Sequence, residues 1–249
     1  CDKCGSSDAR SVNKNGSSYC FSCNTYFPPE QTNINEGDTM GIQTVQTKPI
    51  IIENNAGTFS AIGDRCINED TVKKYGVKVI SDASGTIDRH IYPYYDSTGS
   101  LLATKTRYVK NKQFSIKGST SDSGLFGQQL YNGGKYVTIT EGEIDALSVY
   151  QLLGSKYAVV SIKNGVASAL KDIKKSYDWL DQFDNIVINF DNDDVGREAS
   201  KKVAELFAPS KVKILKLPEG YKDANDLLKA NKYQEYIKAW WNAPTYAPD

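Results

Sequence analysis

Short apolar runs alternate with amphipathic stretches from residue 134 onward. The apolar runs predict strands at 136–140, 157–162, 185–190 and 212–217, and the stretches between them predict helices at 143–153, 167–180 and 195–207. Strands that are apolar throughout and alternate with helices are typical of a mostly parallel sheet that is covered on both faces. This part of the chain is therefore predicted to be an α/β domain whose ligands bind at the carboxyl ends of the strands.

The residues before 134 have a weaker hydrophobic periodicity and divide into three regions. Residues 1–27 are polar and contain paired cysteines, residues 28–48 have the composition of a flexible linker, and residues 49–133 predict a mixed α+β subdomain. Within that subdomain, "NEDTVKKYGVK" predicts a short helix with Asn68 as its N-cap and Gly76 as its end. The stretch "HIYPYYDSTGSLLATKTRYV" predicts two strands around a turn at "DSTGS". The predicted α/β domain, residues 134–249, is the fourth and last region.

Composition and charge narrow the class of protein only slightly. The formal net charge is zero, so a surface for nucleic acid has to be local. No apolar run approaches the roughly 20 residues that a membrane-spanning helix needs, and no secretory signal is recognisable, so we expect a cytoplasmic protein with no membrane partner. Because the chain does not begin with Met, a short targeting segment remains possible.

Two CxxC pairs lie in the first region. Cys1 and Cys4 form one pair, and Cys20 and Cys23 form the other after fifteen intervening residues. Four thiolates on two tight turns can complete a tetrahedron around one Zn²⁺, and a site with four protein ligands is structural. A pair of disulfides or a redox pair is the alternative. The neighbouring aromatic residues could stack on single-stranded bases or form the small core of this ribbon; they are Tyr19, Phe21, Tyr26 and Phe27.

Carboxylates follow three of the predicted strands. Glu141 follows the first, Asp191 and Asp193 follow the third, and Asp223 lies in the loop after the fourth. The two acids of Asp-x-Asp leave an extended segment on the same side, so both can reach one hard cation. Together these four residues indicate a Mg²⁺ site.

Helix capping is the alternative explanation for acids at these positions. We expect Asp194 and Asp226 to be caps, Glu143 to lie on a solvated helix face and Asp145 to be an internal helix partner. Capping alone does not account for the whole set of four acids at strand ends.

"TEGEIDAL" and "FDNDDVGREA" resemble the two signature motifs of the Toprim domain. The order of a four-cysteine ribbon, a linker, a middle subdomain and a Toprim domain is similar to that of DnaG-type primases, and especially to the primase half of the primase–helicases of T-odd phages. "LFGQQLYNGGK" and "KDANDLL" share that likeness. The resemblance implies an enzyme that synthesises short RNA primers from ribonucleoside triphosphates on single-stranded DNA during replication. Its catalytic residues would be the four acids, around one or two Mg²⁺ ions for which Mn²⁺ could substitute; they are Glu141, Asp191, Asp193 and Asp223. It also implies a phage-infected bacterial cell, a replicative helicase fused after this part, and a replicative DNA polymerase as partners.

A basic segment precedes the Toprim-like region. Between residues 97 and 121, Tyr108 and Phe114 are interleaved with five cations, which are Lys105, Arg107, Lys110, Lys112 and Lys117. Such a segment can hold phosphates while an aromatic ring stacks on a base, although a solvated hairpin would carry the same charges. The resemblance implies a cradle for nucleotide and template. Ser115 stands where close relatives tend to place a lysine, which leaves open which lysine makes the contact.

Two rival functions fit parts of the pattern. Topoisomerases and Toprim nucleases share the acidic motifs but break phosphodiester bonds, and topoisomerases carry their zinc modules after the Toprim part. A zinc-ribbon DNA-binding protein without catalysis need not keep all four acids. Cys66 and His90 are expected to be packing residues.

Overall fold

The structure is a computed structural model that describes residues 56–247 and three short strands before them. The chain separates into two compact units, Cys1–Thr47 and Lys48–Asp249. In the first unit, strands β1 (Arg10–Val12), β2 (Ser18–Cys20) and β3 (Thr25–Phe27) form an antiparallel sheet in that order.

The side chains of the proposed zinc ligands, and the linker, lie outside the part of the chain that the structure describes. Cys20 lies in β2, but its side chain is outside the described part of the chain, as are Cys1, Cys4, Cys23 and residues 28–48. The zinc site and the linker therefore stay predictions.

The second unit begins with a helix and an antiparallel sheet. Helix α1 (Glu69–Tyr75) starts at Asn68, whose side chain accepts a hydrogen bond from the Thr71 amide at 2.8 Å, and it ends at Gly76 with φ +69°, as predicted. The four strands of the sheet pair in chain order: β4 (Lys78–Ser81), β5 (Ile87–Tyr95), β6 (Leu101–Tyr108) and β7 (Phe114–Gly118).

The predicted hairpin around "DSTGS" is confirmed as β5 and β6. The Asp96 carboxylate accepts hydrogen bonds from the amides of Thr98 at 2.8 Å and Ser100 at 2.9 Å, which closes the turn. This hairpin places β6 beside β5, and β7 pairs with β6 at the edge of the sheet.

A parallel sheet follows in the order β11-β10-β8-β9. Its strands are β8 (Gly134–Thr140), β9 (Ala158–Ser161), β10 (Phe183–Asn189) and β11 (Val212–Ile214). Its helices are α2 (Glu143–Leu152), α3 (Ala169–Lys175), α4 (Tyr177–Leu180), α5 (Asp194–Ala204), α6 (Ala224–Lys229) and α7 (Tyr233–Trp241). The predicted α/β arrangement with a parallel sheet is confirmed.

One predicted helix is wrong in its length. The helix expected at 167–180 breaks at Ser176, whose amide bonds to the carbonyls of both Asp172 and Ile173, and whose hydroxyl donates to Gln128 Oε1 at 2.9 Å. A tertiary contact with a distant segment thus ends α3 and starts α4.

The two sheets of the second unit share one core. Tyr75 from α1 stacks on Phe126 with ring centroids 5.5 Å apart, and its hydroxyl donates to the Val159 carbonyl of β9 at 2.9 Å. Phe126 also packs against Tyr92 of β5, and the same cluster includes Leu147 of α2. This packing fixes the antiparallel sheet against the parallel one. In the part of the chain that the structure describes, no helix has the length and apolar character to cross a membrane.

Candidate active site

Carboxylates follow three neighbouring strands of the parallel sheet. Glu141 follows β8, Asp191 follows β10 and Asp223 follows β11, and β10 lies between the other two strands. Parallel strands direct their carboxyl ends to the same edge, so these acids gather there.

The helix caps are not the residues expected from the sequence. Asp193 itself caps α5 by accepting a hydrogen bond from the Gly196 amide at 2.9 Å, and Asp223 itself caps α6 by accepting one from the Asp226 amide at 2.8 Å. The expectation that Asp194 and Asp226 would be the caps is wrong. Each cap uses Oδ1, so Oδ2 of the same carboxylate remains available for another partner.

Glu141, Asp191 and Asp223 line one cleft of about 520 Å³ between the two sheets. From the antiparallel sheet, Lys105 of β6 and Phe114 of β7 line the same cleft. The structure therefore brings three of the four predicted acids and one predicted cation around a shared space. Asp193 stands beside this group through a shared contact with Lys222.

The carboxylates of the cleft raise each other's pKa. The pKa of Glu141 is raised by burial and by the charges of Asp191 and Asp193. Burial is the main cause that raises the pKa of Asp191; the contact with Lys222 opposes it, and the charges of Asp223 and Asp193 add smaller upward contributions. A group of carboxylates in this state has more negative charge than its protein neighbours neutralise.

Asp145 belongs to the same acidic group, which the sequence reasoning missed. Its carboxyl lines the cleft, and its pKa is raised well above the usual range by burial and by the charges of Asp223 and Asp191. The expectation that it is an internal helix partner is wrong.

Lys222 contacts two of the predicted acids. Its Nζ lies 3.2 Å from Asp191 Oδ2 and 3.8 Å from Asp193 Oδ2. No motif pointed to this lysine, although its position directly before Asp223 in "KDANDLL" places it at the same edge.

The donor set suits a hard divalent cation. It consists of carboxylate oxygens that repel each other, and oxygen ligands are those that Mg²⁺ prefers. Within residues 56–247, no three His, Cys, Asp or Glu side chains converge closely enough to hold a metal ion as they stand. Rotation of the carboxylates would therefore have to accompany binding.

Two glycines shape the edge by leaving space for acids. A Cβ on Gly196 would lie 2.3 Å from the backbone oxygen of Asp191, so only glycine permits this approach. A Cβ on Gly142 would lie 3.1 Å from Asp145 Oδ2. Gly142 has φ −124°, which any residue adopts, so its role is to make room for Asp145 rather than to permit a sharp turn.

Glu143 is buried, so the expectation of a solvated helix face is wrong. Its Oε1 lies 2.8 Å from Nζ of Lys105 and accepts a hydrogen bond from the Tyr94 hydroxyl at 2.6 Å. Lys105 also donates to the Lys163 carbonyl at 2.7 Å. The helix-start position of Glu143 suggested solvent, but the antiparallel sheet covers it.

The five predicted cations divide between different surfaces. Lys105 and Arg107 flank the Phe114 ring, at 4.7 Å and 5.8 Å from its centroid. Lys117 pairs with Thr104 across the strands and so lies on the opposite face of the sheet from Lys105. Lys110 and Lys112 lie in the turn between β6 and β7, where Lys110 pairs with Asp82 at 3.4 Å.

Neither Cys66 nor His90 is part of the cleft. His90 is buried as predicted, its Nδ1 lies 3.1 Å from the Tyr92 hydroxyl, and burial lowers its pKa to about 4. Cys66 is exposed, which contradicts its expected packing role.

Two protein families match consecutive parts of the chain. The Toprim-like family matches residues 138–228, a range that contains all four predicted acids. The N-terminal a+b fold of the bacteriophage T7 DNA helicase/primase matches residues 57–118, which contain the antiparallel sheet.

One relative matches this chain along its whole length. The DNA helicase/primase of Enterobacteria phage T3 is 34% identical over 257 residues, which is 100% of this chain and 44% of the phage T3 protein. The chain thus spans less than half the length of that relative.

Two solved structures are also similar. The crystal structure of the primase fragment of the bacteriophage T7 primase–helicase is 31% identical, with 97% of each chain covered and a TM-score of 0.64. A chain from the structure of the T7 lagging-strand DNA polymerase, interacting with primase domains bound to an RNA/DNA hybrid and dTTP, is 37% identical. That match has a TM-score of 0.69 and covers 76% of this chain and 94% of the other.

Proposed function

Because the chain belongs to the family of T7-type phage primases, we propose that it is a DNA primase that copies single-stranded DNA into short RNA primers from ribonucleoside triphosphates. One observation carries the proposal: the acidic edge of the parallel sheet faces, across a single cleft, an exposed aromatic ring flanked by two cations. The two sides supply different parts of primer synthesis: the carboxylates would hold the divalent cation, and the ring and its cations would hold the nucleotide.

Asp191, Asp193 and Asp223, with Glu141, are the residues that would hold Mg²⁺ or Mn²⁺, as one ion or two. A divalent cation held there would neutralise the triphosphate and position its α-phosphate for the primer 3′-hydroxyl. The raised pKa values of Glu141 and Asp191 support this assignment, because they reflect burial of the carboxylates and, to a smaller extent, repulsion between them, and a bound cation would offset both.

Glu141 has two roles open to it, as a metal ligand or as the group that takes the proton from the 3′-hydroxyl. Its raised pKa gives it a higher proton affinity than an ordinary glutamate, which suits the second role. Replacing Glu141 with Gln should stop synthesis in either case. Mn²⁺ binding separates them: affinity falls if Glu141 is a ligand and persists if it only accepts the proton.

Phe114 and its flanking cations form the proposed nucleotide-binding side. The Phe114 side chain is 51% exposed, so its ring can stack on a base, while Lys105 and Arg107 supply positive charge beside it. Lys105 is already bonded to Glu143 and to a carbonyl, so Arg107 has the greater freedom to bind a phosphate. Lys110, Lys112 and Lys117 would contact the template backbone, which predicts template binding that weakens with salt.

A zinc ribbon formed by Cys1, Cys4, Cys20 and Cys23 would read the template. The spacing of the cysteines supports one structural Zn²⁺ per chain, which elemental analysis of the purified protein can measure. Replacing Cys20 with Ser should remove that zinc and reduce template-directed initiation. Retention of one zinc ion by this variant would contradict the four-cysteine site.

A replicative helicase and a replicative DNA polymerase are the proposed partners. The T3 relative is a helicase/primase, and the T7 primase domains were solved together with a DNA polymerase and an RNA/DNA hybrid. Co-elution of the chain with a phage DNA polymerase on a primed template would test the second partner.

Incorporation of labelled ribonucleotides on a pool of random single-stranded DNA tests the function itself. Short, ribonuclease-sensitive products made with Mg²⁺ would establish primer synthesis. Cleavage of the template without synthesis would instead support a Toprim nuclease.

A further inference from the structure

Lys222 holds a central position among the proposed metal ligands. Its ammonium lies 3.2 Å from Asp191 Oδ2 and 3.8 Å from Asp193 Oδ2. Within residues 56–247, no other side-chain cation pairs with Glu141 or with the three aspartates. Lys222 is therefore the single protein cation that partly neutralises the acidic edge in the described part of the chain.

The two ends of Lys222 have different freedom. Its backbone is fixed, because its carbonyl accepts a hydrogen bond from the Asn192 amide at 2.8 Å and its amide donates to Asp226 Oδ2 at 3.2 Å. Its side chain is 63% exposed, whereas that of Asp191 is 19% exposed. The ammonium can therefore move into solvent while its point of attachment stays beside Asp191.

A divalent cation and the Lys222 ammonium need the same oxygen atoms. Oδ1 of Asp193 is occupied by the cap of α5, so Oδ2 is the oxygen that this residue can offer to either cation. Asp191 Oδ2 is likewise the atom that contacts Lys222. Repulsion between the two cations adds to this competition.

We propose that Lys222 is a triphosphate-binding residue that a divalent cation releases from Asp191 and Asp193. When the cation binds to these carboxylates, the ammonium turns away from them and pairs with the phosphates of the nucleoside triphosphate that shares the cation. This inference rests on the proposed metal site. It adds Lys222 to that site, as a residue that pairs with the carboxylates without metal and with phosphate when metal is bound.

Metal binding gives a test that does not depend on activity. Lys222→Met should bind Mn²⁺ about two- to fivefold more tightly than the wild type in the absence of nucleotide, since a competing exposed ion pair is lost. Free Mn²⁺ can be measured by electron paramagnetic resonance. Lys229→Met, which removes an exposed lysine at the end of α6, is the matched control and should leave the Mn²⁺ affinity unchanged.

Nucleotide binding supplies the second half of the test. With saturating Mn²⁺, Lys222→Met should bind a non-hydrolysable ATP analogue about tenfold more weakly, the loss expected for one charge-assisted hydrogen bond. Lys222→Arg should recover most of that affinity, and Lys229→Met should match the wild type.

The role of Lys222 and the metal site can fail separately in these experiments. If Lys222→Met leaves analogue affinity unchanged, or weakens Mn²⁺ binding, the role assigned to Lys222 is wrong while the metal site stands. If the wild type shows no Mn²⁺ binding that depends on Asp191, the proposed metal site fails and the role of Lys222 fails with it.

Discussion

Nζ of Lys105 on β6 lies 2.8 Å from Oε1 of Glu143 on α2, and this buried contact joins the two sheets beside the cleft. The hydroxyl of Tyr94 donates to the same carboxylate oxygen at 2.6 Å, so Glu143 is bonded to two residues of the antiparallel sheet. Since β6 and β7 carry the proposed nucleotide-binding side, this contact fixes that side relative to the acidic edge.

Breaking the contact from one side should destabilise the protein. Lys105→Met leaves the Glu143 carboxylate buried without its cation, so we expect the free energy of unfolding to fall by about 3–5 kcal/mol. Urea denaturation followed by circular dichroism measures this change. Lys117→Met removes an exposed lysine from the same sheet and should change stability by no more than about 0.5 kcal/mol. Equal stability of Lys105→Met and the wild type would contradict the assignment of this contact as structural.

The ionised carboxylate of Glu141 should lower the free energy of unfolding at neutral pH. Its pKa in the folded protein is raised by burial and by Asp191 and Asp193, so ionisation costs more in the folded than in the unfolded state. The loss of stability develops as pH rises from about 4, the ordinary range of a glutamate, and is complete above the raised pKa.

Glu141→Gln should therefore raise the melting temperature at pH 7, and this gain should disappear below about pH 4, where the carboxyl is protonated in both states. Glu219→Gln is the control, because Glu219 is exposed, and its melting temperature should follow the wild type. A gain that stays constant across this pH range would show that ionisation of Glu141 is not its cause.

Gly196 should not tolerate alanine, although alanine usually stabilises a helix. A Cβ at this position would lie 2.3 Å from the Asp191 backbone oxygen, so the loop that carries Asp191 would have to move. We expect Gly196→Ala to lower stability by about 1–3 kcal/mol, the usual range for overpacking, and to reduce Mn²⁺ binding as well. Gly63→Ala is the matched control, because no atom lies within 4 Å of the position of its Cβ. Wild-type Mn²⁺ affinity in Gly196→Ala would contradict the proposed coupling.

Phe114 should contribute to nucleotide affinity rather than to stability. Its exposed ring can stack on a base, so Phe114→Ala should raise KM for the initiating nucleotide roughly tenfold, within the range measured for base–aromatic stacking. Phe59→Ala is the control, since Phe59 is similarly exposed, at 42% against 51%, but does not line the cleft. An unchanged KM in Phe114→Ala would remove this residue from the nucleotide site.

The sequence predicted the elements that depend on local pattern and missed those that depend on tertiary contact. The alternation of strands and helices after residue 134, and the acids at the ends of three strands, were correct because each is set by neighbouring residues. The break at Ser176 was not predictable, because it depends on a hydrogen bond to Gln128, 48 positions away.

The same distinction explains the candidate site. The position of Glu143 at a helix start predicts exposure to solvent. The side chain is buried because the antiparallel sheet packs over it. Lys105 and Lys117 read alike in the sequence, but the register of β6 against β7 places them on opposite faces. Lys222 carries no motif signal of its own, and its role depends on the hydrogen bond between Asn192 and its backbone.

Primer synthesis by Asp191→Asn tests the central claim that the acidic edge carries the chemistry. Asp194→Asn is the matched control, because Asp194 lies three positions along the chain, caps no helix and has a side chain that is 98% exposed. On random single-stranded templates with Mg²⁺, we predict that Asp194→Asn makes short RNA at the wild-type rate and that Asp191→Asn loses at least about a hundredfold of that activity. Synthesis by Asp191→Asn at the wild-type rate would contradict the account.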